Sequence, residues 1–172
     1  MKSDKIIKLV TASLMAALTC VVTMMIPIKI PLNNGYIHPG DAFVLLSGII
    51  LGPIYGGLAA GIGSMFADLL SPYAQYAAAT LVIKALAAMV AAYSYRHIRV
   101  RSVVLAGIFG GVVVTFGYFI IERFIFGNAL TAAVVGVPFN ILQNIFGILL
   151  ASILLPLLRK VPQIRSMMDN TK

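Results

Sequence analysis

The sequence predicts an all-α integral membrane protein in which residues 1–172 form a single domain of six transmembrane helices. Three observations lead there: 60% of the residues are hydrophobic, only 10% are charged, and the mean hydropathy is +1.00. Soluble domains carry about 25% charged residues, and a helix that spans the bilayer needs about 20 apolar residues. A chain of 172 residues therefore holds about six spans with short loops. No room is left for a soluble catalytic domain.

Apolar runs separated by proline, glycine and basic residues define the six spans. They cover residues 6–26, 41–51, 54–70, 76–95, 102–126 and 132–158. The first run is longer than the core of a signal peptide, which has about 7–15 residues, so we expect it to be a retained helix. The second run is short, which indicates a tilted or partial helix, or a start deep within the membrane.

The basic residues predict the orientation. Ten of the 13 lie before or at the start of the first span, between the fourth and fifth spans, or after the sixth. They are Lys2, Lys5, Lys8, Arg96, Arg99, Arg101, Arg159, Lys160, Arg165 and Lys172. Six spans bring all of them to one face, and the positive-inside rule then places both termini in the cytoplasm. Topology signals thus account for the net charge of +8, and no nucleic-acid partner is predicted.

The remaining polar residues fall in the outer half of the predicted bundle. Lys84 lies about 12 Å from the outer end of its span at about 1.5 Å per residue. Ionisable residues inside a membrane are costly and normally face a bundle interior or a cavity. The predicted binding residues are His38, Asp41, Asp68, Lys84, Tyr118, Glu122, Asn140, Gln143 and Asn144. Because the cytoplasmic halves are nearly free of polar side chains, the sequence predicts a pocket open to the outside and closed below.

Each of these residues also has a simpler interpretation. Asp41 could cap the second helix, because carboxylates satisfy free N–H groups there. His38 could be an ordinary loop histidine, and Asp68 and Glu122 could be solvated charges near the interface. Lys84 could belong to a purely structural ion pair. The three amides could simply join neighbouring helices.

Small residues at four-residue spacing indicate close helix packing. In "GGLAAGIGSMFA" this spacing predicts contacts inside the bundle. Ala12 and Ala16 have the same spacing near the cytoplasmic end of the first helix. This pair could pack within the bundle or receive a helix of another protein, and the sequence does not decide between them.

Other classes of function fit the sequence less well. An autonomous small-solute carrier or channel, the alternative that remains, would need polar residues through the full depth of the membrane. An intramembrane enzyme is not predicted, because the sequence lacks H-E-x-x-H and paired catalytic groups at one depth. His38 and His97 fall on opposite faces, and Cys20 is the single cysteine. We therefore predict no metal site and no cofactor in this chain.

Two stretches resemble a known family. "GYIHPGDAFVLLSGIILGPIYGGLAAGIGSMFADLLS" joins a G-x-x-H-x-G-D motif to a glycine-rich third helix that ends in A-D. With "LVIKAL" around Lys84 and "PFNILQNIFG" in the sixth helix, it resembles the substrate-binding S components of energy-coupling factor (ECF) vitamin transporters. The resemblance is to the subgroup for hydroxymethylpyrimidine and vitamin B6. Ala12-x-x-x-Ala16 is similar to the motif by which S components dock on their coupling subunit.

This resemblance implies a high-affinity capture subunit of an ECF-type ABC importer in the plasma (cytoplasmic) membrane of a prokaryote. Its partners would be a transmembrane coupling (T) subunit and two ATPase subunits, since the chain has no G-x-x-x-x-G-K-[ST] loop. The implied ligand is hydroxymethylpyrimidine, ranked first, or a pyridoxine-type B6 vitamer. The loop at residues 27–40 would act as a gate, with Asn34, Gly35 and Tyr36 at its centre.

Overall fold

The structure, a computed structural model, describes residues 2–29, 36–98 and 101–169, with side chains from residue 5 onward. Within them lie seven α-helices: α1 Lys2–Met25, α2 Asp41–Leu51, α3 Pro53–Leu69, α4 Ala77–His97, α5 Val103–Ile120, α6 Leu130–Leu158 and α7 Pro162–Asp169. Two short strands, β1 Ile28–Lys29 and β2 Tyr36–Ile37, pair antiparallel between α1 and α2. A 3-10 turn at Ala74–Tyr76 precedes α4, and a π-helical turn at Ile121–Ile125 follows α5.

The short helix α2 lies at the centre of the bundle. Ten of its 11 residues are buried, and it contacts α1, α3, α4, α6 and α7. A helix that is apolar on every side is stable only when other elements surround it. The main core is accordingly built on Leu46, Ile49 and Ile50, which belong to one cluster with Ala91 of α4 and Ala151 of α6.

Four helical stretches are long and apolar enough to cross a membrane. They are Lys5–Met25, Ala74–His97, Val103–Ile125 and Leu130–Leu158. By contrast α2 is about 16 Å long and α3 about 26 Å, against a hydrocarbon thickness of about 30 Å. The prediction of an all-α membrane fold is confirmed, but the six complete crossings and their orientation are not established, because α2 is too short to cross alone.

The helices alternate in direction, so the bundle has two distinct ends. At one end the start of α1 meets the start of α3, where Lys8 Nζ lies 5.1 Å from the centre of the Tyr55 ring. The ends of α4 and α6 meet there too, since Arg159 Nη2 donates to Tyr95 Oη at 3.1 Å. We call this the terminal end, and the opposite end, which carries the β-hairpin, the hairpin end.

The turn between α2 and α3 requires glycine. Gly52 has a φ of +89°, in the region that side chains rarely adopt. A Cβ there would also lie 2.7 Å from a guanidinium nitrogen of Arg96. The turn therefore sends the chain straight back along α2 and brings Arg96 of α4 against its backbone.

The last helix, α7, was not predicted. Its eight residues, Pro162–Asp169, are too few for an apolar period to stand out in the sequence. Met168 is buried in the main core, and Ile164 and Met167 pack against that core. The helix thus covers the terminal end of α2.

Candidate functional site

A pocket lies at the hairpin end, where the start of α2 leaves a gap among the longer helices. Because α2 begins only at Asp41, the volume above it is enclosed by the upper parts of the other helices and by β2. The described residues that line it are Thr23, Tyr36, His38, Ser64, Asp68, Tyr76, Thr80, Tyr118, Glu122, Asn140 and Gln143. Most of them are polar, so the gap is a polar chamber within an apolar bundle.

A buried ion pair forms the floor of this pocket. Lys84 Nζ donates to Asp41 Oδ1 at 2.5 Å, and the two side chains are 0% and 6% exposed. The ammonium also lies 5.4 Å from the centre of the Tyr118 ring. A charge of this depth requires a partner, and Asp41 supplies it. Gly40 occupies the N-cap position of α2, and the two carboxylate oxygens of Asp41 accept from Lys84 and Gln143.

An amide extends the floor from α6 to the loop before α2. Gln143 Nε2 donates to Asp41 Oδ2 at 2.7 Å, and Gln143 Oε1 accepts from the backbone N–H of His38 at 2.9 Å. The floor thus ties together α2, α4, α6 and the loop. Each of these side chains has a hydrogen-bond partner within the protein, so the floor is an internally paired network.

His38 faces the pocket as a neutral ring. Its Nδ1 accepts from the backbone N–H of Gly40 at 3.1 Å, which leaves the proton on Nε2. Burial is the main cause that lowers the pKa of His38 to about 4; the Asp41 charge opposes this shift and the Lys84 charge adds to it. At neutral pH the ring is therefore uncharged, with one N–H available as a donor.

The wall formed by α3 carries the carboxylate of Asp68, and Tyr36 of β2 extends over the pocket to contact it. Tyr36 Oη donates to Asp68 Oδ1 at 2.7 Å, and the Tyr36 ring stacks on Tyr73 with centroids 4.0 Å apart. Burial and the Asp68 carboxylate both raise the pKa of Tyr36, so its hydroxyl stays protonated and donates. The hairpin is thereby fastened to the end of α3, over the pocket.

The opposite wall holds a second carboxylate and an aromatic cluster. Glu122 is buried, and it lies in the π-helical turn after α5, beside Tyr76. Such turns are frequent at functional sites. The Tyr76 ring contacts Tyr118 and Phe126 edge-on, and the Tyr118 hydroxyl shares a 2.9 Å hydrogen bond with Thr80. The pocket therefore combines two carboxylates with aromatic rings.

Four polar atoms in these walls are buried without a hydrogen bond to any described residue. They are Thr23 Oγ1, Ser64 Oγ, Asp68 Oδ2 and Tyr76 Oη; none has a partner at hydrogen-bonding geometry within the described ranges, although Asp68 lies near Thr80 and Tyr76 near Glu122. Only one further side-chain atom of the described part, Arg96 Nη2, is in the same condition. A buried polar group that lacks a partner costs about 1–3 kcal/mol. The concentration of four such groups in one pocket marks it as a place where a polar ligand would be bound.

The free volume between these groups is small, at about 30 Å³. About 10–15 Å³ is enough for one water molecule, whereas ligand pockets measure about 300–1,000 Å³. A larger ligand therefore requires the pocket to widen. The part of its wall with the fewest helical constraints is the hairpin that carries Tyr36.

Eight of the nine predicted binding residues lie in the pocket wall or directly beneath the pocket. His38, Asp68, Tyr118, Glu122, Asn140 and Gln143 line the pocket together. Asp41 and Lys84 lie directly beneath it and contact each other rather than the free volume.

Asn144 lies apart from the pocket that the sequence assigned it to. Its Nδ2 donates to the carbonyl of Gly111 at 3.0 Å and to Thr115 Oγ1 at 3.2 Å, both on α5. One turn further along α6 than Asn140, it faces the neighbouring helix. For this residue the interpretation as a link between helices is the one that the structure supports.

The sequence analysis missed Thr23, Ser64, Tyr76 and Thr80. A signal for three of them existed in the spacing: Ser64 precedes Asp68 by four residues, and Tyr76 and Thr80 precede Lys84 by eight and four. Residues four apart share a helix face. Searching for polar residues one or two turns from each ionisable residue would have found these three.

The predicted gate and docking residues lie elsewhere. Asn34 and Gly35 are outside the described residues, and Tyr36 closes the pocket as described above. Ala12 is buried in the main core, and Ala16 meets Gly63 of α3 so closely that no Cβ fits at Gly63. This pair therefore packs within the bundle of the isolated chain, and its docking role stays a prediction.

No metal centre can be assigned within residues 2–29, 36–98 and 101–169. Among them no group of three His, Cys, Asp or Glu side chains lies close enough to hold an ion.

Three comparisons with known proteins each found a match, and the family model is the one that shows the family. The family model for the ECF-type riboflavin transporter, S component, matches residues 3–160. A Pyrococcus woesei protein described as an "uncharacterized protein in gap 3'region" is 32% identical over 141 residues, which is 81% of this chain and 93% of that protein. A solved structure described as "Structure and mechanism of the S component of a bacterial ECF transporter" matches with a TM-score of 0.67 and 20% identity, over 90% of this chain and 97% of that one. At this identity the last match shows a shared fold.

Proposed function

We propose a function for this chain on the premise that it belongs to the family of ECF-transporter S components, which the family model over residues 3–160 shows. An S component is a non-catalytic, multi-pass membrane protein that binds a vitamin and pairs with a T subunit and ATPase subunits. In our proposal this chain captures a small, hydrogen-bond-donating vitamin or precursor in the pocket at the hairpin end. The observation that carries the proposal is the set of four buried polar atoms that lack partners there.

The chemistry of the walls favours a ligand rich in donors. Asp68 and Glu122 are both buried in the walls, while the buried ammonium of Lys84 is already neutralised by Asp41. Two carboxylates suit an amino group or a protonated ring nitrogen and repel phosphate. Tyr36, Tyr76 and Tyr118 supply faces on which a flat ring can stack. Hydroxymethylpyrimidine and the pyridoxine-type vitamers combine these features in a small heterocycle.

Riboflavin is the second candidate, because the matching family model is named for it. Its hydroxyl-rich side chain could use the unpaired hydroxyls and carboxylates of the pocket. It is a larger molecule than hydroxymethylpyrimidine, and a pocket of about 30 Å³ would have to widen further to admit it. We therefore rank the smaller heterocycles first.

The proposed topology has six crossings with both termini in the cytoplasm, and the pocket faces outward. Basic residues at the terminal end support this orientation through the positive-inside rule. The central helix α2 would cross together with the loop and hairpin above it, which keep the pocket away from lipid. Irregular backbone at membrane depth is tolerated where protein buries it.

In this arrangement the β-hairpin is the gate. Its link to the bundle on the pocket side is the Tyr36–Asp68 hydrogen bond with the Tyr36–Tyr73 stack. A ligand that enters past Tyr36 would open these contacts and could bind Asp68 Oδ2, after which the Tyr36–Asp68 hydrogen bond would re-form over it. Binding and gate movement would then be coupled through one side chain.

The experiment is calorimetric titration of the purified, detergent-solubilised chain with hydroxymethylpyrimidine, pyridoxine, pyridoxamine, thiamin and riboflavin. Submicromolar binding of a small heterocycle, with riboflavin weak, supports the proposal. Tight riboflavin binding would select the second candidate. Absence of binding across the panel by folded protein would contradict a stand-alone capture subunit for these compounds.

A further inference from the structure

A second cavity lies at the terminal end, on the opposite side of α2 from the pocket. It measures about 290 Å³. Its described walls come from the ends of α4 and α2, the start of α3, Arg101 before α5, and α7. The side chains that define its chemistry are Tyr93, Tyr95, Arg96, His97 and Arg101, with Met168 of α7 as an apolar wall. The function proposed above makes no use of it.

Arg96 is the central group of this cavity. Its guanidinium lies against the backbone of Gly52, where the glycine leaves room for it, and one nitrogen, Nη2, is buried without a hydrogen-bond partner among the described residues. A guanidinium is always charged and presents its donors in a planar fork. A buried donor on such a group is costly until it finds an acceptor. The cavity thus holds an unsatisfied charged donor beside empty space.

The surroundings of Arg96 are basic rather than compensating. Arg101 and His97 line the same cavity, and no acidic residue is among its described walls. Arg159 approaches from α6 and donates to Tyr95 Oη at 3.1 Å. Like charges around one cavity repel each other, so an anion would relieve both the repulsion and the unpaired donor.

The position of the cavity indicates where that anion comes from. It lies at the end of the candidate span Ala74–His97, and therefore at a boundary between hydrocarbon and water. Tyr93, 61% exposed and stacked on His97 at 3.9 Å, is the kind of aromatic residue found at this level. The neighbouring helix α7 buries Met168 and exposes Gln163 and Arg165, as a helix lying in the interface does.

We propose that this cavity binds the phosphate group of an anionic phospholipid, with Arg96 and Arg101 as the principal contacts. Arginine pairs with phosphate oxygens through two parallel hydrogen bonds. Basic pockets between membrane helices are suited to lipid headgroups. The acyl chains would continue along the exposed apolar side of α4, which includes Val82 and Leu86. Such a lipid would join the α2–α3 turn, α4 and α7 into one unit.

The test uses native mass spectrometry of the full chain with phosphatidylglycerol and, separately, phosphatidylcholine. We expect the wild type to retain phosphatidylglycerol at least about tenfold better, and Arg96→Gln and Arg101→Gln each to lose about tenfold of that retention. Arg101 is exposed, so its substitution is compatible with folding even where that of Arg96 is not. The matched control is Arg165→Gln, which removes an exposed charge from the same end without touching the described cavity walls.

Three results would overturn the proposal. Equal retention of the two lipids would exclude recognition of an anionic headgroup. A loss in Arg165→Gln equal to that in Arg101→Gln would reduce the effect to general surface charge. If millimolar inorganic phosphate displaced phosphatidylglycerol and protected the chain against heat as well as the lipid does, the ligand would be a soluble phosphate instead.

Discussion

The floor and the walls of the pocket both contain buried polar side chains, but those of the floor are hydrogen-bonded to one another and several of those in the walls lack a partner in the part of the chain that the structure describes. In the floor, Asp41, Lys84 and Gln143 satisfy one another and the backbone of His38. In the walls, a few ångströms away, Ser64 and one oxygen of Asp68 are buried with no partner in the described residues. Burial alone therefore does not identify a binding residue. In the floor, internal pairing offsets the desolvation cost of the buried charges. In the walls, the buried polar atoms would find their hydrogen-bond partners in a ligand.

Removing a charge from the floor should have the largest effect. Lys84→Met leaves the Asp41 carboxylate buried without its cation, and we expect the free energy of unfolding to fall by about 3–5 kcal/mol. The measurement is denaturant unfolding of the purified chain in mild detergent. As a control, the double variant Asp41→Asn with Lys84→Met removes both charges and should recover part of the loss. A single variant as stable as the wild type would show that the ion pair does not hold the floor together.

The neutral state of His38 predicts a pH dependence of stability. Burial lowers its pKa from 6.5 to about 4, so between these values the unfolded chain binds a proton that the folded chain does not. Stability should therefore be full above pH 6.5 and fall as the pH drops to 4, by at most about 3 kcal/mol. His38→Gln should lose this part of the dependence, while the titration of other groups remains in both proteins. Identical pH profiles for the two proteins would contradict a buried neutral ring.

A wall carboxylate should matter for binding more than for folding. Asp68→Asn removes a charge whose second oxygen has no partner, so we expect ligand affinity to fall about 10- to 100-fold. The free energy of unfolding should change little or rise. The measurement is calorimetric titration with the panel compound that binds tightest, alongside unfolding of the same sample. Unchanged affinity would remove Asp68 from the site.

Removing the hydrogen bond between the hairpin and α3 should have a smaller effect, on the rate of ligand dissociation. Tyr36→Phe keeps the stack on Tyr73 and removes only the hydrogen bond to Asp68. One hydrogen bond of this kind is worth about 1 kcal/mol, so ligand dissociation should be roughly fivefold faster if this bond re-forms over the bound ligand. Stopped-flow displacement measures this rate. Equal dissociation rates would separate Tyr36 from the gate.

The helices lie close to the predicted apolar runs, and six of the nine predicted binding residues line one pocket. The boundaries of α2 are those predicted, because punctuation at Gly40 and Gly52–Pro53 is strong on both sides. That the chain is an S component was predicted from its motifs and is confirmed by the family model. The sequence could not show which buried side chains pair with each other. Asp41, Asp68 and Glu122 all belong to the polar residues predicted in the outer half of the bundle, and only packing decides that Asp41 pairs with Lys84.

Asn144 is a residue that the sequence assigned to the pocket and that packing places elsewhere. It shares a helix face with Asn140 within about 40°, which the period of 3.6 residues allows. Its depth, one turn lower, brings it against Gly111, where the absence of a side chain lets the amide reach the α5 backbone. Spacing on one helix cannot reveal such a contact, since it depends on which helix lies opposite.

The most direct test of the claim that the unpaired wall groups bind the ligand compares two buried serines. Ser64 lines the pocket and its hydroxyl has no partner among the described residues, whereas the Ser47 hydroxyl, equally buried in α2, donates to the carbonyl of Phe43 at 2.6 Å. We would measure affinity for the tightest panel compound, and the free energy of unfolding, for Ser64→Ala and Ser47→Ala. We expect Ser64→Ala to weaken binding about fivefold or more without loss of stability, and Ser47→Ala to leave affinity unchanged. Equal affinities in both variants and the wild type would contradict the claim that the unpaired groups are the binding groups.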